Sequence, residues 1–381
     1  MGKIVPLKDL CVMEITDGTH KTPTYADEGY IFLSSKNVTS GVIDWDNVMH
    51  IPESLHDELH KRLAPRKNDI LLAKNGTTGI AAIVDRDEVF DIYVSLALIR
   101  PDETKILPRY LLHAINSYPS KRFFDSHLKG VGVPNLHLTH IRETPIRVLS
   151  FPEQEHVTTV LDKINLLLAL RKQQLEKLDE LVKARFVELF DKKGYSEDTL
   201  LNLCNIIDYR GKTPEKVECG LPFITAKNVK MHQMNLEPRE YISKETYDKV
   251  MVRGFPKEGD VVFTTEAPLG NVCRIPYFDT EFYIGQRIVT LQTEKLEPIY
   301  LEYALSSDDF KMKYMEKSSG STVTGIRVRL LEQLTIPVPP LESQKQFAAL
   351  VEQTDKSKLT IQQSLDKLET LKKALMQKYF G

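Results

Sequence analysis

Shifted by 191 residues, this chain matches itself. Ile15, Asp17, Lys21, Thr22, Pro23, Gly29, Phe32, Lys36, Asn37 and Val38 recur as Ile206, Asp208, Lys212, Thr213, Pro214, Gly220, Phe223, Lys227, Asn228 and Val229. Sixteen of the 65 positions from Ile15 to Gly79 are identical at this offset, where average composition would give roughly 4 by chance. After Gly79 the offset reads as 190, and Ala114/Ala304, Gly130/Gly320, Gln154/Gln344 and Phe190/Phe380 correspond. The chain is two copies of one unit, so whatever one copy folds into, the other must match.

Each unit has two parts of different character. In residues 1–150 and 193–340, short apolar runs are separated by Gly, Pro, Asn and Asp, the pattern of a mixed module with several strands. Residues 151–192 and 341–381 are dominated by Leu, Glu, Lys, Gln and Ala, and each reads as one long helix. Pro152 and Pro340 sit where a helix tolerates proline, and Gly194 and Gly381 follow the two ends. The expected class is α+β: two mixed modules separated by a pair of long antiparallel helices with internal pseudo-two-fold symmetry.

Helical spacing sets what those two segments do. Ile164, Leu168, Leu175, Leu178 and Val182 fall four and three apart in the first, and Ile361, Leu365, Leu368 and Leu375 occupy the equivalent stations in the second. Arg171, Lys358 and Lys372 interrupt the seams, which favours pairing of the two copies with each other over an extended homo-oligomeric zipper. Leu167, Leu170, Leu181 and Leu371 lie beside the seams and widen them, leaving apolar surface either for the modules of the same chain or for a partner subunit. A helix of about 36 residues is roughly 54 Å long, so an antiparallel pair would act as a spacer between two heads.

With 41% apolar and 27% charged residues, the chain has enough apolar material for two cores and no window apolar enough for a membrane span. No apolar leader follows Met1, and Cys11, Cys204, Cys219 and Cys273 do not correspond between the copies, so a cytoplasmic location is expected. A net charge of −2 requires that any face meeting phosphate be local.

Catalytic signatures are missing. Gly254 to Asp260 has two glycines of a phosphate loop but an aspartate where its lysine must stand. The Gly130-Val-Gly132 run carries a proline at the position that would open a helix, which spoils it as a dinucleotide loop. His56 and His60 lie one turn apart, yet the intervening Glu is misplaced for a zinc hydrolase, and the pair reads as a solvated helix face with no metal. Neither Asn-Pro-Pro-Tyr nor Asp-Pro-Pro-Tyr occurs, so the groups with which adenine methyltransferases hold a flipped base are absent. No catalytic residue is assigned.

Thr-Pro followed by an aromatic and Lys-Asn-Val, then Asn-Asp-Ile-Leu-Leu with a Lys-Asn-Gly-Thr-Thr-Gly loop, in two modules each closed by a long helix, resembles the specificity subunit of a type I restriction-modification system. The likeness covers the whole chain. Ile336 to Gln344 resembles the family signature at the start of each shared helix, and Ile146 to Gln154 departs from it at Arg147 and Leu149. The resemblance implies two target recognition domains on double-stranded DNA, each reading half of a bipartite asymmetric site. It also implies helices that set the unread spacer and dock two modification subunits, which restriction subunits then join. S-adenosylmethionine, ATP and magnesium would belong to those partners, with no cofactor in this chain.

The two copies can then be sorted against each other. Groups kept in both cannot explain two different half-sites, so Lys21/Lys212, Lys36/Lys227 and Asn37/Asn228 are expected to contact phosphate or form framework. Aligned positions that differ are candidates for base readout: Thr19 and His20 against Arg210 and Gly211, and Lys74, Asn75 and Thr77 against Thr265, Glu266 and Pro268. Gln286, Arg287, Arg327 and Arg329 add donors that the first copy lacks at Ser95, Leu96, His137 and Thr139. On this reading Lys74→Ala relaxes one half-site, whereas Lys36→Ala weakens binding to every sequence. Two other readings are a tether whose modules bind protein ligands, supported by the near-neutral charge, and a self-sufficient methyltransferase, which lacks its motifs.

Overall fold

The computed structural model describes residues 2–128, 134–191, 193–209, 214–320 and 324–381. They form two compact units, 1–172 with 362–381 and 173–361. The first module runs β1 (Lys3–Pro6), β2 (Thr16–Asp17), β3 (Tyr30–Leu33), β4 (Met49–Ile51), α1 (Glu53–Arg62), β5 (Ile70–Ala73), β6 (Ala81–Ile83), β7 (Phe90–Ile92), β8 (Leu96–Ile99), α2 (Pro108–Ile115), α3 (Tyr118–His127), α4 (Leu138–Arg142) and β9 (Pro145–Val148), and leads into α5 (Phe151–Phe190). The second runs β10 (Glu197–Thr199), α6 (Leu200–Leu203), β11 (Asn205–Asp208), β12 (Leu221–Ile224), β13 (Val229–Lys230), β14 (Gln233–Met234), β15 (Tyr241–Ile242), α7 (Lys244–Val250), β16 (Val261–Thr264), β17 (Val272–Arg274), β18 (Tyr283–Ile284), β19 (Ile288–Gln292), α8 (Pro298–Ser306), α9 (Asp308–Lys317), α10 (Val328–Leu331) and β20 (Thr335–Pro337), and leads into α11 (Leu341–Phe380).

Sheet topology repeats with the sequence. In the first unit β1 pairs with β9, four strands lie in the order β2-β8-β5-β6, and three in the order β4-β3-β7 with β3 and β7 parallel. The second has β10-β20, β11-β19-β16-β17 and β15-β12-β18 with β12 and β18 parallel, plus a short β13-β14 ladder. The central strands are buried on both faces, which is why Ile70-Leu-Leu-Ala73 reads as an unbroken apolar run. Alternation splits that run: Ile70 and Leu72 join the core beneath the helices, while Leu71 and Ala73 join the core against the three-stranded sheet. Val261 and Phe263 are divided from Val262 in the same way.

Strand pairing corrects the offset read from the sequence. Leu72 lies opposite Ala97 and Phe263 opposite Val289, so β8 and β19 are related by 192. Phe32 opposite Asp91 and Phe223 opposite Tyr283 give the same value for β7 and β18. The second copy therefore gains one residue before β18 and loses two before α8, where the offset becomes 190. Few identities fall in that stretch, so a single loss had absorbed both changes. Arg287 is thus the equivalent of Ser95, and Gln286 of Val94, in the aligned copies.

Neither long helix forms a unit by itself. In the first unit Val157 and Leu161 of α5 share a core with Leu375, Met376, Tyr379 and Phe380 of α11, and the Phe380 ring lies 5.4 Å from that of Tyr110. In the second, Val182, Phe186 and Phe190 pack with Phe347, Ala348 and Val351. Within each unit the start of one helix meets the end of the other, so they pack antiparallel. Ile164, Leu168, Val182 and Leu365 are buried, and Leu175, Leu178, Ile361, Leu368 and Leu375 are half-buried. Lys358 in the seam is neutralised by Asp179. Lys372 is half-buried, and burial together with Lys121 and Lys172 lowers its pKa. Both helices have 40 residues, the equal length expected. No described helix is long and apolar enough to cross a membrane.

Candidate nucleic-acid interface

Five connections meet at one edge of the first module. Thr19, after β2, donates its N–H to the Ile92 carbonyl at 3.1 Å and accepts from Val94 N–H at 3.0 Å. Lys74, after β5, donates to the Ser95 carbonyl at 2.9 Å, and the Ser95 hydroxyl accepts from Ser35 N–H at 2.9 Å. Leu136, before α4, donates to the Lys74 carbonyl at 2.8 Å, and Asn75 bridges to Asn135. Backbone bonds hold the loops together, which leaves side chains at their tips free to vary.

The second module rebuilds the same frame. Thr265 donates to the Arg287 carbonyl at 2.9 Å, Ile326 to the Thr265 carbonyl at 2.9 Å, and Glu266 bridges to Gly325. Gly285 donates to Ile224 as Tyr93 does to Leu33, both at 2.8 Å. The repeated side chains explain this constancy. Asn37 accepts from Ser34 N–H at 2.9 Å and donates to the carbonyls of Asp44 and Asn47; Asn228 accepts from Thr225 N–H at 2.9 Å and donates to Asn235 and Pro238. Asp69 and Asp260 accept the N–H groups of Arg66 and Lys257 at 2.9 and 2.8 Å. Gly79 and Gly270 are kept because both have positive φ, and a Cβ there would press on Phe124 or Tyr314.

The residues singled out from sequence fall into three groups. Thr19, Asn37, Lys74, Thr265 and Asn228 are buried. The Asn37 and Asn228 side chains are taken up by backbone groups of their own loops. The Lys74 ammonium lies 3.0 Å from the Asp17 carboxylate with about a tenth of either side chain exposed, so it faces a buried acid instead of an open groove. Its position on the Lys-Asn-Gly-Thr-Thr-Gly loop had suggested exposure; the adjoining β5 carries it inward.

The second group is exposed or half-exposed. His20 contacts Asp17 at 3.2 Å, and Lys21 reaches Glu58 at 2.6 Å. Lys36 and Lys227 are exposed, and among the described residues no ion pair holds either. Thr77, Arg327 and Arg329 are exposed and Asn75 and Gln286 half-buried. Arg287 pairs with Glu266 at 3.0 Å, both about half exposed. The third group, Arg210 and Lys212 with the neighbouring Gly211 and Thr213, lies outside the described residues, as do Gly130 to Val133.

Sequence comparison missed two tethers. Arg62 donates to the Asp17 carbonyl at 2.9 Å and Arg253 to the Asp208 carbonyl at 2.7 Å. All four residues are identities of the 191-residue repeat, so the signal was present. The arrangement is chemically a shared backbone frame that carries an exposed lysine at the same place in each copy, Lys36 and Lys227. On that frame Asn75 is replaced in the second copy by Glu266, Ser95 by Arg287 and His137 by Arg327. Amide, carboxylate, hydroxyl and guanidinium groups at matched positions present different donors and acceptors to a ligand.

Comparison with known proteins places these observations. The sequence model for "Type I restriction modification DNA specificity domain" matches residues 3–180 and again 193–372. A putative type I restriction enzyme MjaX specificity subunit from Methanocaldococcus jannaschii is 24% identical over 379 residues, covering 91% of this chain and 85% of the relative. The type I restriction enzyme MjaVIII specificity subunit of the same organism is 23% identical over 348 residues, covering 83% and 79%. Among solved structures, a type I restriction-modification S subunit from M. genitalium superposes with a TM-score of 0.62 at 15% identity, covering 100% of this chain and 96% of the other. A chain from a study of complex assembly and conformational transition of the type I R-M system gives 0.58 at 20% identity, covering 100% and 97%. The two superpositions bear on the fold.

Proposed function

This chain belongs to the type I restriction-modification DNA specificity family, and on that premise we propose that each of its modules reads one half of a bipartite, asymmetric site on double-stranded DNA. The observation that carries this is the matched loop cluster: one backbone frame built twice, with different polar side chains at equivalent tips. Lys36 and Lys227 position the phosphate backbone. Asn75, Thr77 and His20 in the first module, and Glu266, Gln286, Arg287, Arg327 and Arg329 in the second, face the base edges. Lys74, Thr19 and Thr265 support the loops from beneath.

The chain supplies no chemistry of its own in this reading. Two modification subunits carrying S-adenosylmethionine dock on α5 and α11, and restriction subunits using ATP and magnesium join them in the cytoplasm. Exposed Leu167, Leu170, Leu181 and Leu371 beside the helix seams support such docking. The test is a genome-wide map of methylated adenine in a host with and without this gene, its modification partner being present in both. A bipartite motif that disappears with the gene is the expected result, and a map unchanged by its loss overturns the reading.

A further inference from the structure

One place in the first module is polar where its duplicate is core. His56 and His60 of α1 face Asp91 of β7. The equivalent positions in the second module are Tyr247, Met251 and Tyr283, all buried in one apolar cluster. The fold itself therefore asks only for packing here, and the polar trio needs a reason of its own.

The solvated helix face expected from sequence is corrected by this geometry. His56 is 7% and Asp91 1% exposed. The His56 Nδ1 lies 2.7 Å from Asp91 Oδ2, and the Tyr30 ring stacks on its imidazole at 3.7 Å. On the other side His60 Nδ1 stands 3.5 Å from Asp91 Oδ1. Both of these atoms are buried, and neither has a hydrogen-bond partner. A single His56–Asp91 hydrogen bond accounts for half of the cluster and leaves a carboxylate oxygen and an imidazole nitrogen unsatisfied, at a free-energy cost. Burial pushes the Asp91 carboxyl above its ordinary range, with both histidines pulling the other way.

We propose that His56, His60 and Asp91 bind a divalent transition-metal ion of the zinc class. One donor atom from each of the three lies within 4.8 Å of the other two. Ligands of a tetrahedral zinc ion, at about 2.0–2.2 Å from the metal, stand roughly 3.3 Å apart; His56 Nδ1 lies 2.7 Å from one Asp91 oxygen and His60 Nδ1 3.5 Å from the other, so small side-chain shifts bring one donor of each residue to that spacing. Two imidazoles and one carboxylate suit zinc better than calcium or magnesium, which prefer oxygen. The half-exposed side of His60 admits a water as fourth ligand, and binding releases the proton shared by His56 and Asp91 to solvent. The ion would clip α1 to β7. Because Glu58 of α1 holds Lys21 and Arg62 of α1 holds the Asp17 carbonyl, the clip steadies the 17–21 segment of the loop cluster. Apolar contacts of Tyr247, Met251 and Tyr283 do the same work in the other copy.

The full-length chain, prepared without a polyhistidine tag and stripped with a chelator, is titrated with Zn²⁺ against a chromophoric chelator and with Co²⁺ read by visible absorption. One ion per chain is expected, with a tetrahedral Co²⁺ spectrum lacking thiolate charge transfer. His60→Ala and Asp91→Asn should each weaken binding by about a hundredfold. A combined H56Y/H60M/D91Y variant installs the second module's own residues, so it should fold, bind no ion and melt at a temperature that Zn²⁺ does not change, whereas Zn²⁺ raises that of the parent chain. Absence of stoichiometric binding by the parent chain, binding unchanged in these variants, or a thiolate band that marks cysteine ligation would each overturn the site.

Discussion

Gln154, on the first turn of α5, accepts a hydrogen bond from the Leu107 backbone N–H at 2.8 Å and donates to the Leu149 carbonyl at 2.9 Å. Leu107 is the residue that caps α2, so one buried amide joins the start of the long helix to the module. Gln344 repeats the arrangement with Glu297 N–H at 2.9 Å and the Pro339 carbonyl at 2.8 Å. The tyrosine hydroxyls beside them repeat as well, Tyr110 donating to Arg147 and Tyr300 to Pro337. These four residues angle each helix from its module, and they fall on the 190-residue offset.

Replacing Gln154 by Leu removes the acceptor of a buried N–H and the donor of a buried carbonyl at once. The expected loss of stability is about 2 kcal/mol, read from urea denaturation of the isolated chain. Gln344→Leu should cost a similar amount. A change below about 0.5 kcal/mol at both sites, the usual range for surface substitutions, would show that the joint is held by apolar packing alone.

Lys74 and Lys36 separate support from contact. Lys74→Ala leaves Asp17 buried without its cation, and the expected cost is about 3 kcal/mol of stability. Lys36→Ala should leave stability within about 0.5 kcal/mol, because the side chain is exposed and unpaired among the described residues. In the assembled complex it should weaken binding equally to matched and mismatched DNA and reduce the salt slope by about 1. If Lys74→Ala instead keeps full stability and relaxes one half-site, the buried pair opens on DNA and the sequence-based assignment stands.

Asp162 of α5 binds the first module through His113 at 2.8 Å and Arg109 at 2.6 Å. Burial raises its carboxyl, but the hydrogen bonds and charges of His113 and Arg109 outweigh burial and hold it below the ordinary aspartate range. A carboxyl lowered on folding contributes stability that is present above the unfolded value near 4 and is lost as pH falls through the folded value. Asp162→Asn should therefore be less stable than the parent at pH 7, with the gap closing below pH 4. Denaturation across pH 3–7 measures it, and a gap independent of pH would exclude the carboxylate as its source.

Much of this was legible because duplication turns one chain into an alignment of two. Asn37/Asn228, Asp69/Asp260 and Gly79/Gly270 recur because loop caps and a positive-φ turn admit few residues, and the structure gives each a local geometric reason. The helices were legible because their spacing repeats over 40 residues. Strands β7 and β8 were misregistered because apolar strands exchange Leu, Ile, Val and Phe freely: β8 leaves no identity at the offset of 192, and the two in β7, Phe90/Phe282 and Ile92/Ile284, are too few to stand out. Lys74 and His56 were placed at the surface because residue type suggests exposure, whereas burial depended on Asp17 and Asp91, which pairing across distant strands brings in. No periodicity within one segment carries that information.

The pair Glu266 and Arg287 gives the proposed reading of the second half-site a direct check. Arg287→Ala removes a donor at a loop tip and frees Glu266, without touching the first module. Methylated-adenine mapping should show altered or relaxed bases in one half of the motif only, with discrimination at the affected position reduced by about 1–3 kcal/mol. Changes in both halves would mean that the residue acts on the scaffold and not on bases.

The apolar flank of the helices bears on assembly. Leu170 is 45% and Leu181 50% exposed, one in each unit and each beside the buried seam. A glutamate at either place stays hydrated in the isolated chain, so Leu170→Glu and Leu181→Glu should each change its stability by less than about 0.5 kcal/mol. Burial under a partner would instead force an unpaired carboxylate into an apolar interface, costing several kcal/mol. If one modification subunit docks beside each module, each single variant should retain one partner and the double variant none, as read by the mass of the purified complex. Full assembly by the double variant would show that partners dock elsewhere on the chain.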